Sequence, residues 1–510
     1  MYCWVQGGGA TSVCWRGTPE ARFGAFDRPQ AGPWAHWYRQ GEALCVELDR
    51  YGLYPLFHAS VGDGIAVADS VAELLALGAS NETDDDAIAA FLRLGFFVGE
   101  DTAFAAVRAV PAGGLRVVRG RILLDPAPPD LGEVSPGLDY DTVVVEAGER
   151  FRSVLAGCLP GDAGTTALPL SGGRDSRHIA LELHRLDFEP GLVFSQHMGA
   201  AQSDTDALVA RRVCERLGWR FTGVSATRTP WHDEIAKNRR FDCLSDEHAW
   251  FEPSVALLRR HDVRTVFDGL AGDVLCKATW LHEDWKAPWC RGDADAVLGL
   301  LNAQGYGARE WSLARLLAPQ ALTRWSRGRA VGRLARAIRS WREQARGMER
   351  FLFWSRTRRE IAPFLQRNTA PARVLTPFLA PDFADYMFGV PESVIARGDL
   401  HDRIIGRANP ALASLGFAEN LPPRAPGLHA RSMARGILAS PPEWQSNPAF
   451  KRSWLLPRVL AASLSSRHAL QMQPYLRWIA WLVSLEAMRG SARESARAVA
   501  PVQLPEVAMN

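Results

Sequence analysis

The sequence lacks the features that mark several special classes of protein. Its eight cysteines are scattered over 510 residues, with no CxxC pair and no His/Cys cluster at zinc spacing. We therefore interpret them as reduced thiols, most of them in the core. No apolar run approaches the roughly 18 residues of a membrane helix, and no basic segment followed by an apolar stretch opens the chain. These absences predict a cytoplasmic protein.

The chain also lacks an excess of charge of either sign. Its 59 basic and 56 acidic residues leave a net charge of +3, which gives no overall drive toward nucleic acid or anionic membrane. We expect neither as a partner, so any basic partner site must be local. The 47% hydrophobic and 23% charged residues are typical of a soluble folded protein. Single cores stop growing at about 250 to 300 residues, so the length predicts two domains.

Local patterning divides the chain. Residues 1–128 hold short apolar runs separated by Gly, Asp and Pro, which predict a strand-rich α/β sandwich with helices over 70–77 and 84–94, the second capped by Thr83. Residues 129–138 are predicted to be a linker. Within 139–500, strands first alternate with helices, which favours a parallel sheet covered on both faces. Beyond about residue 290 the pattern is almost all helical, and 501–510 form a tail.

The first chemical motif is a glycine turn between a strand and a helix. An apolar strand over 166–170 leads into Ser171-Gly172-Gly173-Arg174-Asp175-Ser176, and 177–186 is predicted to be helical. Paired glycines turn successive N–H groups into one concavity, and a helix N-terminus adds positive charge, so this arrangement suits a phosphate. The Gly-Lys-Ser/Thr of a Walker loop is missing, which argues against γ-phosphoryl transfer. Asp175 would repel phosphate unless a cation lay between them, which indicates Mg²⁺.

The second motif follows another apolar strand, predicted over 263–267. It reads Asp268-Gly269-Leu270-Ala271-Gly272-Asp273. Ligands of open α/β sheets collect outside the carboxyl ends of the strands, so Asp273 and Asp175 are expected at one crevice, where they could share the metal. The purely structural interpretations are a Ser/Gly-rich tight turn for the first motif and a capped strand end for the second.

Together these residues resemble the asparagine synthetase family, whose synthetase domain carries a Ser-Gly-Gly-x-Asp-Ser loop and a later Gly-x-Gly-x-Asp segment. Residues 49–56 and 111–114 resemble parts of that family's N-terminal glutaminase domain, and 376–379 and 389–391 resemble its C-terminal helical region. The resemblance implies a degenerate glutaminase-like α/β sandwich, followed by a parallel-sheet ATP-pyrophosphatase domain with a helical C-terminal region.

The resemblance also implies a chemistry. A carboxylate attacks the α-phosphate of ATP to give an acyl-adenylate and pyrophosphate, and an amine then displaces AMP to form an amide. Residues 171–176 with Gly269 and Gly272 would bind ATP and pyrophosphate, and Asp175 and Asp273 would hold Mg²⁺. These two aspartates and Ser176 are the catalytic candidates. The substrates are a carboxylate and an amine, on small molecules or peptides, and a partner protein in a biosynthetic pathway is compatible with this.

Three positions depart from the family pattern. The nucleophilic cysteine of the glutaminase is replaced by Tyr2, and Cys3 lies one residue late, so we infer that glutamine hydrolysis is lost. Leu270 and Arg373 occupy positions where the family has an acid or tyrosine, and neither can act as a general base. An ordinary asparagine synthetase is thus disfavoured. An amide ligase of a natural-product or polysaccharide pathway, a lasso-peptide-type macrolactam cyclase and a catalytically impaired nucleotide-binding scaffold remain.

Arginines are concentrated between residues 324 and 359. Those at 327, 333, 336, 339, 342, 346 and 350 tend to one side of a helix. The structural interpretation is a solvated face, and the functional one is a basic rim that attracts an anionic substrate. Arg356, Arg358 and Arg359 are the candidates for phosphate or substrate contacts, since Arg pairs with oxyanions in a bidentate manner. His178 and His248 are predicted to be structural.

Overall fold

The described residues up to Leu124 form two antiparallel sheets of five strands each. The computed structural model describes residues 1–7, 13–124, 131–196, 205–225, 229–277, 283–412, 415–418, 428–440 and 444–498. The strands are β1 (Tyr2–Gly7), β2 (Val13–Gly17), β3 (Glu20–Gly24), β4 (Trp34–Gln40), β5 (Ala43–Leu48), β6 (Phe57–Val61), β7 (Gly64–Ala68), β8 (Val107–Ala109), β9 (Leu115–Val118) and β10 (Arg121–Leu124). The sheet orders are β2-β1-β7-β6-β8 and β10-β9-β5-β4-β3.

The two sheets face each other across a shared apolar layer. Val5 and Val67 of the first sheet join Trp37, Leu44 and Val117 of the second in one buried cluster. Along β4, buried Ala35 and Trp37 alternate with half-buried neighbours, so this strand turns one face to the layer. The opposite face of the first sheet contributes to a larger core that continues into the rest of the chain.

A third sheet, all parallel, follows in the second part of the chain. Its strands are β11 (Thr166–Pro169), β12 (Leu192–Gln196), β13 (Phe221–Val224), β14 (Thr265–Phe267) and β15 (Arg373–Leu375), in the order β13-β12-β11-β14-β15. The predicted parallel sheet is confirmed. The helical region expected beyond about residue 290 is confirmed, and β15 is the one strand among the described residues there. It was missed because a strand of three residues leaves too short a pattern to read.

Helices account for most of the remaining described residues. They are α1 (Val71–Ala76), α2 (Asp85–Leu94), α3 (Tyr140–Cys158), α4 (Asp175–Arg185), α5 (Thr205–Leu217), α6 (Pro230–Arg240), α7 (Glu252–Arg260), α8 (Gly272–Cys276), α9 (Glu283–Arg291), α10 (Ala294–Ala303), α11 (Glu310–Leu316), α12 (Pro319–Arg324), α13 (Arg327–Ile338), α14 (Gly347–Leu352), α15 (Ala362–Thr369), α16 (Pro381–Phe388), α17 (Glu392–Ile395), α18 (Leu400–Ala408), α19 (Leu428–Ala439), α20 (Arg452–Leu464) and α21 (Ser466–Ala498). Within the described residues, no helix is long and apolar enough to cross a membrane.

The start of α2 corrects one local prediction. Asp84, not Thr83, is the N-cap, and its carboxylate accepts from the backbone N–H of Ala87 at 2.9 Å. A carboxylate is favoured here because it meets both the unpaired N–H groups and the positive end of the helix dipole. Residues 125–130 of the predicted linker lie outside the described residues.

Arginines of α13 bind acidic residues in and near α2. Arg329 binds Asp86 at 2.7 Å, and Arg333 binds Asp101, which also receives Arg108 at 2.7 Å. Farther along, Arg346 is buried against Glu349 at 2.6 Å. At Arg333 and Arg346 a basic rim for an anionic substrate is therefore the wrong interpretation, because both charges already face acids of the protein.

We expect Asp101→Asn to lower the free energy of unfolding by about 3 kcal/mol or more, because it removes a buried charge that two guanidinium groups face. Asp101 is 1% exposed. Urea unfolding followed by tryptophan fluorescence measures the change.

The matched control is Asp262→Asn, in the exposed pair with Arg264 at 3.0 Å. It should change stability by about 1 kcal/mol or less. Equal effects of the two substitutions would contradict an anchoring role for Asp101.

Candidate active site

The glycine turn after β11 is held by its own serines. Ser176 Oγ accepts from the backbone N–H of Ser171 at 3.0 Å and lies 3.0 Å from Ser171 Oγ. The N–H of Gly173 donates to Ser171 Oγ at 3.1 Å. α4 then begins at Asp175 without a side-chain cap. The N–H groups of its first turn have no partner within the helix, so they are the donors that this turn presents to an anion.

Two acids bind the turn from outside. Asp206, at the start of α5, accepts from the N–H of Gly172 at 2.9 Å. Arg174 pairs with Asp402 of α18 and lies over the ring of Phe417 at 4.1 Å. The Gly172 amide and the Arg174 guanidinium were two of the expected phosphate contacts. In the structure both bind groups of the protein.

Asp175 lies directly against the second motif. A Cβ placed on Gly269 would be 2.7 Å from Cβ of Asp175, and a Cβ on Gly272 would be 2.7 Å from its Cγ. Only glycine allows so close an approach. β11 and β14 are neighbours in the sheet, so the two loops leave adjacent strand ends and meet there.

The Asp175 carboxyl lies in a place that is unfavourable for a bare negative charge. Burial, and after it the nearby charge of Asp273, together raise its pKa to about 8. Its Oδ1 has no hydrogen-bond partner within the described part of the chain. His401 Nδ1 lies 3.5 Å away, but burial holds the pKa of His401 well below its usual range, so that ring is neutral. A divalent cation fits these donors.

A cavity of about 360 Å³ opens beside this point. Leu170 and Ser171 follow β11, Phe194 to Gln196 belong to β12, and Trp250 and Phe251 form another wall. Trp250 is one of the few large apolar side chains left exposed. Apolar and aromatic walls with a few polar groups at one end are typical of a ligand pocket.

Arg356 is the member of the predicted arginine trio that lies near Asp273. It belongs to a π-helix, Phe353–Ile361. Its guanidinium lies over the ring of Tyr306 at 5.2 Å and 3.3 Å from Glu360. Burial lowers the pKa of Arg356, but the charges of Glu360, Tyr306 and Asp273 raise it overall. Arg356 is therefore a cation held near the crevice.

Arg358 and Arg359 correct the prediction. Arg358 donates to the backbone carbonyls of Gly52 and Val110 and pairs with Glu100 at 3.1 Å. Arg359 donates to the carbonyl of Asp101 at 2.6 Å. Both side chains are buried against the first part of the chain, which supplies these partners.

A second cluster of titratable groups borders Arg356. Glu247, His248 and Glu360 place ligand atoms within 4.8 Å of one another. Arg356 lies 3.3 Å from Glu360, and Arg477 lies 3.3 Å from Glu247. These guanidinium groups supply the positive charge that a metal would bring, so the cluster is an ion-pair network. Burial lowers the pKa of His248 to about 4, so it is a neutral member.

Leu270, Arg373 and Cys3, the positions singled out as departures in the sequence, provide no general base at this crevice. Leu270 is 4% exposed in the main core. Arg373 pairs with Asp27 of the first part of the chain. Cys3 is buried between the two antiparallel sheets, where burial raises the pKa of its thiol to about 11.

Several site residues were missed from the sequence. Asp206, Asp402 and His401 contact the first motif. Trp250 lines the cavity, and Tyr306 lies under the guanidinium of Arg356. None of the five lies in a motif of its own. Asp206 offered the one readable signal, an acid in the first turn of a predicted helix after a strand. The others depend on contacts between distant segments.

The buried Asp175 carboxyl makes stability depend on pH. A carboxyl whose folded pKa, about 8, exceeds its unfolded value of about 4 binds more protons when folded, so stability falls as pH rises between these values. We expect metal-free Asp175→Asn to melt a few degrees above the metal-free wild type at pH 8 and equally with it below pH 4.

Thermal melting with a chelator over this range tests the expectation, and Asp63→Asn, at an exposed aspartate, is the control that should follow the wild type. A variant that melts lower than wild type at pH 8 would show that Asp175 has a favourable protein partner instead.

No model of a known protein family matches the chain, and no curated protein matches it. The feature of the chain that bears most directly on its function is the approach of Asp175 to the loop that ends at Asp273.

Proposed function

We propose that the protein is an ATP-dependent amide-forming ligase that activates a carboxylate as an acyl-adenylate, releases pyrophosphate and passes the acyl group to an amine. The amide forms either between two substrates or within one, as in a lasso-peptide-type macrolactam. The proposal keeps the asparagine synthetase-like assignment of both motifs. It gives the first part of the chain the role of a degenerate glutaminase-like domain.

The observation that carries this proposal is the meeting of the two loops. Asp175 of the first motif lies against Gly269 and Gly272 of the second, at adjacent carboxyl ends of a parallel sheet. This is the edge at which α/β sheets bind ligands. An isolated Ser/Gly turn and an isolated capped strand end would have no reason to bury a carboxylate between them.

Each group then has a part in the chemistry. Mg²⁺ held by Asp175 and Asp273 would neutralise the charge that develops on the phosphates. The N–H groups at the start of α4 and the hydroxyl of Ser176 are the donors for pyrophosphate. The cavity beside Ser171 and Trp250 takes the nucleoside. Arg356, near Asp273, is placed to pair with the anionic carboxylate or adenylate.

The amine comes from a source other than glutamine. The thiol of Cys3 is buried with a pKa of about 11, so almost none of it is thiolate at neutral pH. The α-amine of Met1 is bound to Asp69 at 2.8 Å. A thiolate and a free amine base are both needed for hydrolysis by an N-terminal cysteine.

A second candidate is a nucleotide-binding scaffold that has lost its chemistry. It is favoured by Leu270, which is buried, and by Arg373, whose charge is used by Asp27. Asp175 opposes it, because an unpaired buried carboxylate destabilises the fold unless it serves a ligand.

ATP–pyrophosphate exchange with a panel of carboxylates, from amino acids to short peptides, tests the proposal. The wild type should catalyse exchange, and Asp273→Asn should abolish it. Gly269→Ala should reduce it about 100-fold, because its Cβ would displace Asp175.

The matched control is Gly299→Ala, where an added Cβ meets no atom within 4 Å. Near-normal exchange by Asp273→Asn would contradict the metal assignment. If no carboxylate in the panel supports exchange although the protein binds Mg-ATP, the scaffold is favoured.

The purified protein should release no glutamate from glutamine, and Cys3→Ala should leave amide formation unchanged. A glutamate assay with and without ATP measures the release of glutamate. Glutaminase activity that Cys3→Ala removes would contradict the assignment of the first part of the chain.

A further inference from the structure

The helices near the C-terminal end expose an uncovered apolar face. Of the eight large apolar side chains that are exposed in the described residues, half lie within one stretch of 15 positions. We call these four the leucine face: Leu456, Leu460, Leu464 and Leu470. The first three recur every fourth residue on α20, whose Leu455, Val459 and Ala462 are buried on another side of the helix.

The leucine face projects from the molecule. Exposure rises along α20 from 45% at Leu456 to 51% at Leu460 and 69% at Leu464. Leu464 is the last residue of α20, and α21 begins two residues later and packs back against it. The most exposed leucine thus lies at the corner between two helices.

The same segment is basic and contains no acid. From Trp444 to Leu485 the sequence has no Asp or Glu. Lys451, Arg452 and Arg467 are exposed beside the leucine face, and none has an acidic partner in the part of the chain that the structure describes. This contrasts with α13, where Arg329 and Arg333 face acids. The exposed leucines and the cations around them are therefore both available to bind a ligand.

We propose that the leucine face docks the protein on an anionic phospholipid surface. Such a surface offers negative headgroups to the cations and an apolar boundary to the leucines. A fluid surface also accepts a projecting corner without a groove of matching shape. A second copy is disfavoured because a symmetric contact would bring the same unpaired cations together.

This inference departs from the expectation of no membrane partner. That expectation came from a net charge of +3, which averages acids and bases over the whole chain. The helices involved lie on the surface and do not span it. The inference is independent of the proposed ligase activity, since none of its residues belongs to the candidate active site.

Sedimentation of the full-length protein with vesicles tests the inference. The protein should bind phosphatidylcholine vesicles that contain phosphatidylserine and not pure phosphatidylcholine, and salt should weaken the binding. Arg452→Gln/Arg467→Gln should lower the partition coefficient about 25-fold, about fivefold for each charge. Leu460→Ser/Leu464→Ser should also lower it, with little change in salt dependence.

The chain offers matched controls. Arg259→Gln/Arg260→Gln changes two exposed arginines of α7, and Leu123→Ser changes an exposed leucine of β10. Both should bind like the wild type, and the melting temperatures should show that every variant is folded. The inference is overturned if the protein stays in the supernatant with anionic vesicles. That result would favour an acidic protein as the partner of the leucine face. It is also overturned if Leu460→Ser/Leu464→Ser instead abolishes self-association in sedimentation velocity.

Discussion

The burial of the Asp175 carboxylate between two glycines is the constraint on which the site depends. The carboxylate can approach the second loop because Gly269 and Gly272 have no Cβ. That approach removes it from water and brings it near Asp273, so its negative charge is disfavoured twice. The contact therefore joins the loops at two strand ends. Under the proposed function it also places a carboxylate where Mg²⁺ would bind.

Arginine connects the first part of the chain to the second. Arg93 pairs with Glu310, and Arg358 and Arg359 bind backbone carbonyls of the first part. An acidic residue of the second part also binds the first part. Asp242 accepts from the N–H groups at the start of α1 at 2.9 and 3.2 Å, so an acid from the second part caps a helix of the first. These contacts give the first part of the chain a structural role in the fold.

The regular elements and both motifs could be predicted because each has a local signal. The strand before Ser171 and the strand that ends at Phe267 are apolar runs, and the helices over 140–158 and 205–217 follow a helical period. What the arginines do could not be predicted. Arg333 lies 232 residues from Asp101, and Arg358 lies 306 from Gly52, so a charge pattern on one helix cannot reveal its partner. The misplaced role of Arg358 has this cause, whereas β15 was missed because a strand of three residues leaves too short a pattern to read.

The absence of a base at Leu270 and Arg373 bears on how an amide could form. Glu360 offers no simple replacement, since it is 2% exposed and its charge is shared with Arg356. An amine held in the attacking orientation reaches effective molarities of about 10⁵ M or more, so positioning can replace much of the work of a base. Free ammonia has no further groups through which a protein could position it, whereas an amine that belongs to a larger acceptor has such groups. Under the proposed ligase activity, these residues favour a carboxylate activated near Arg356, with its acceptor amine fixed by the rest of the acceptor molecule.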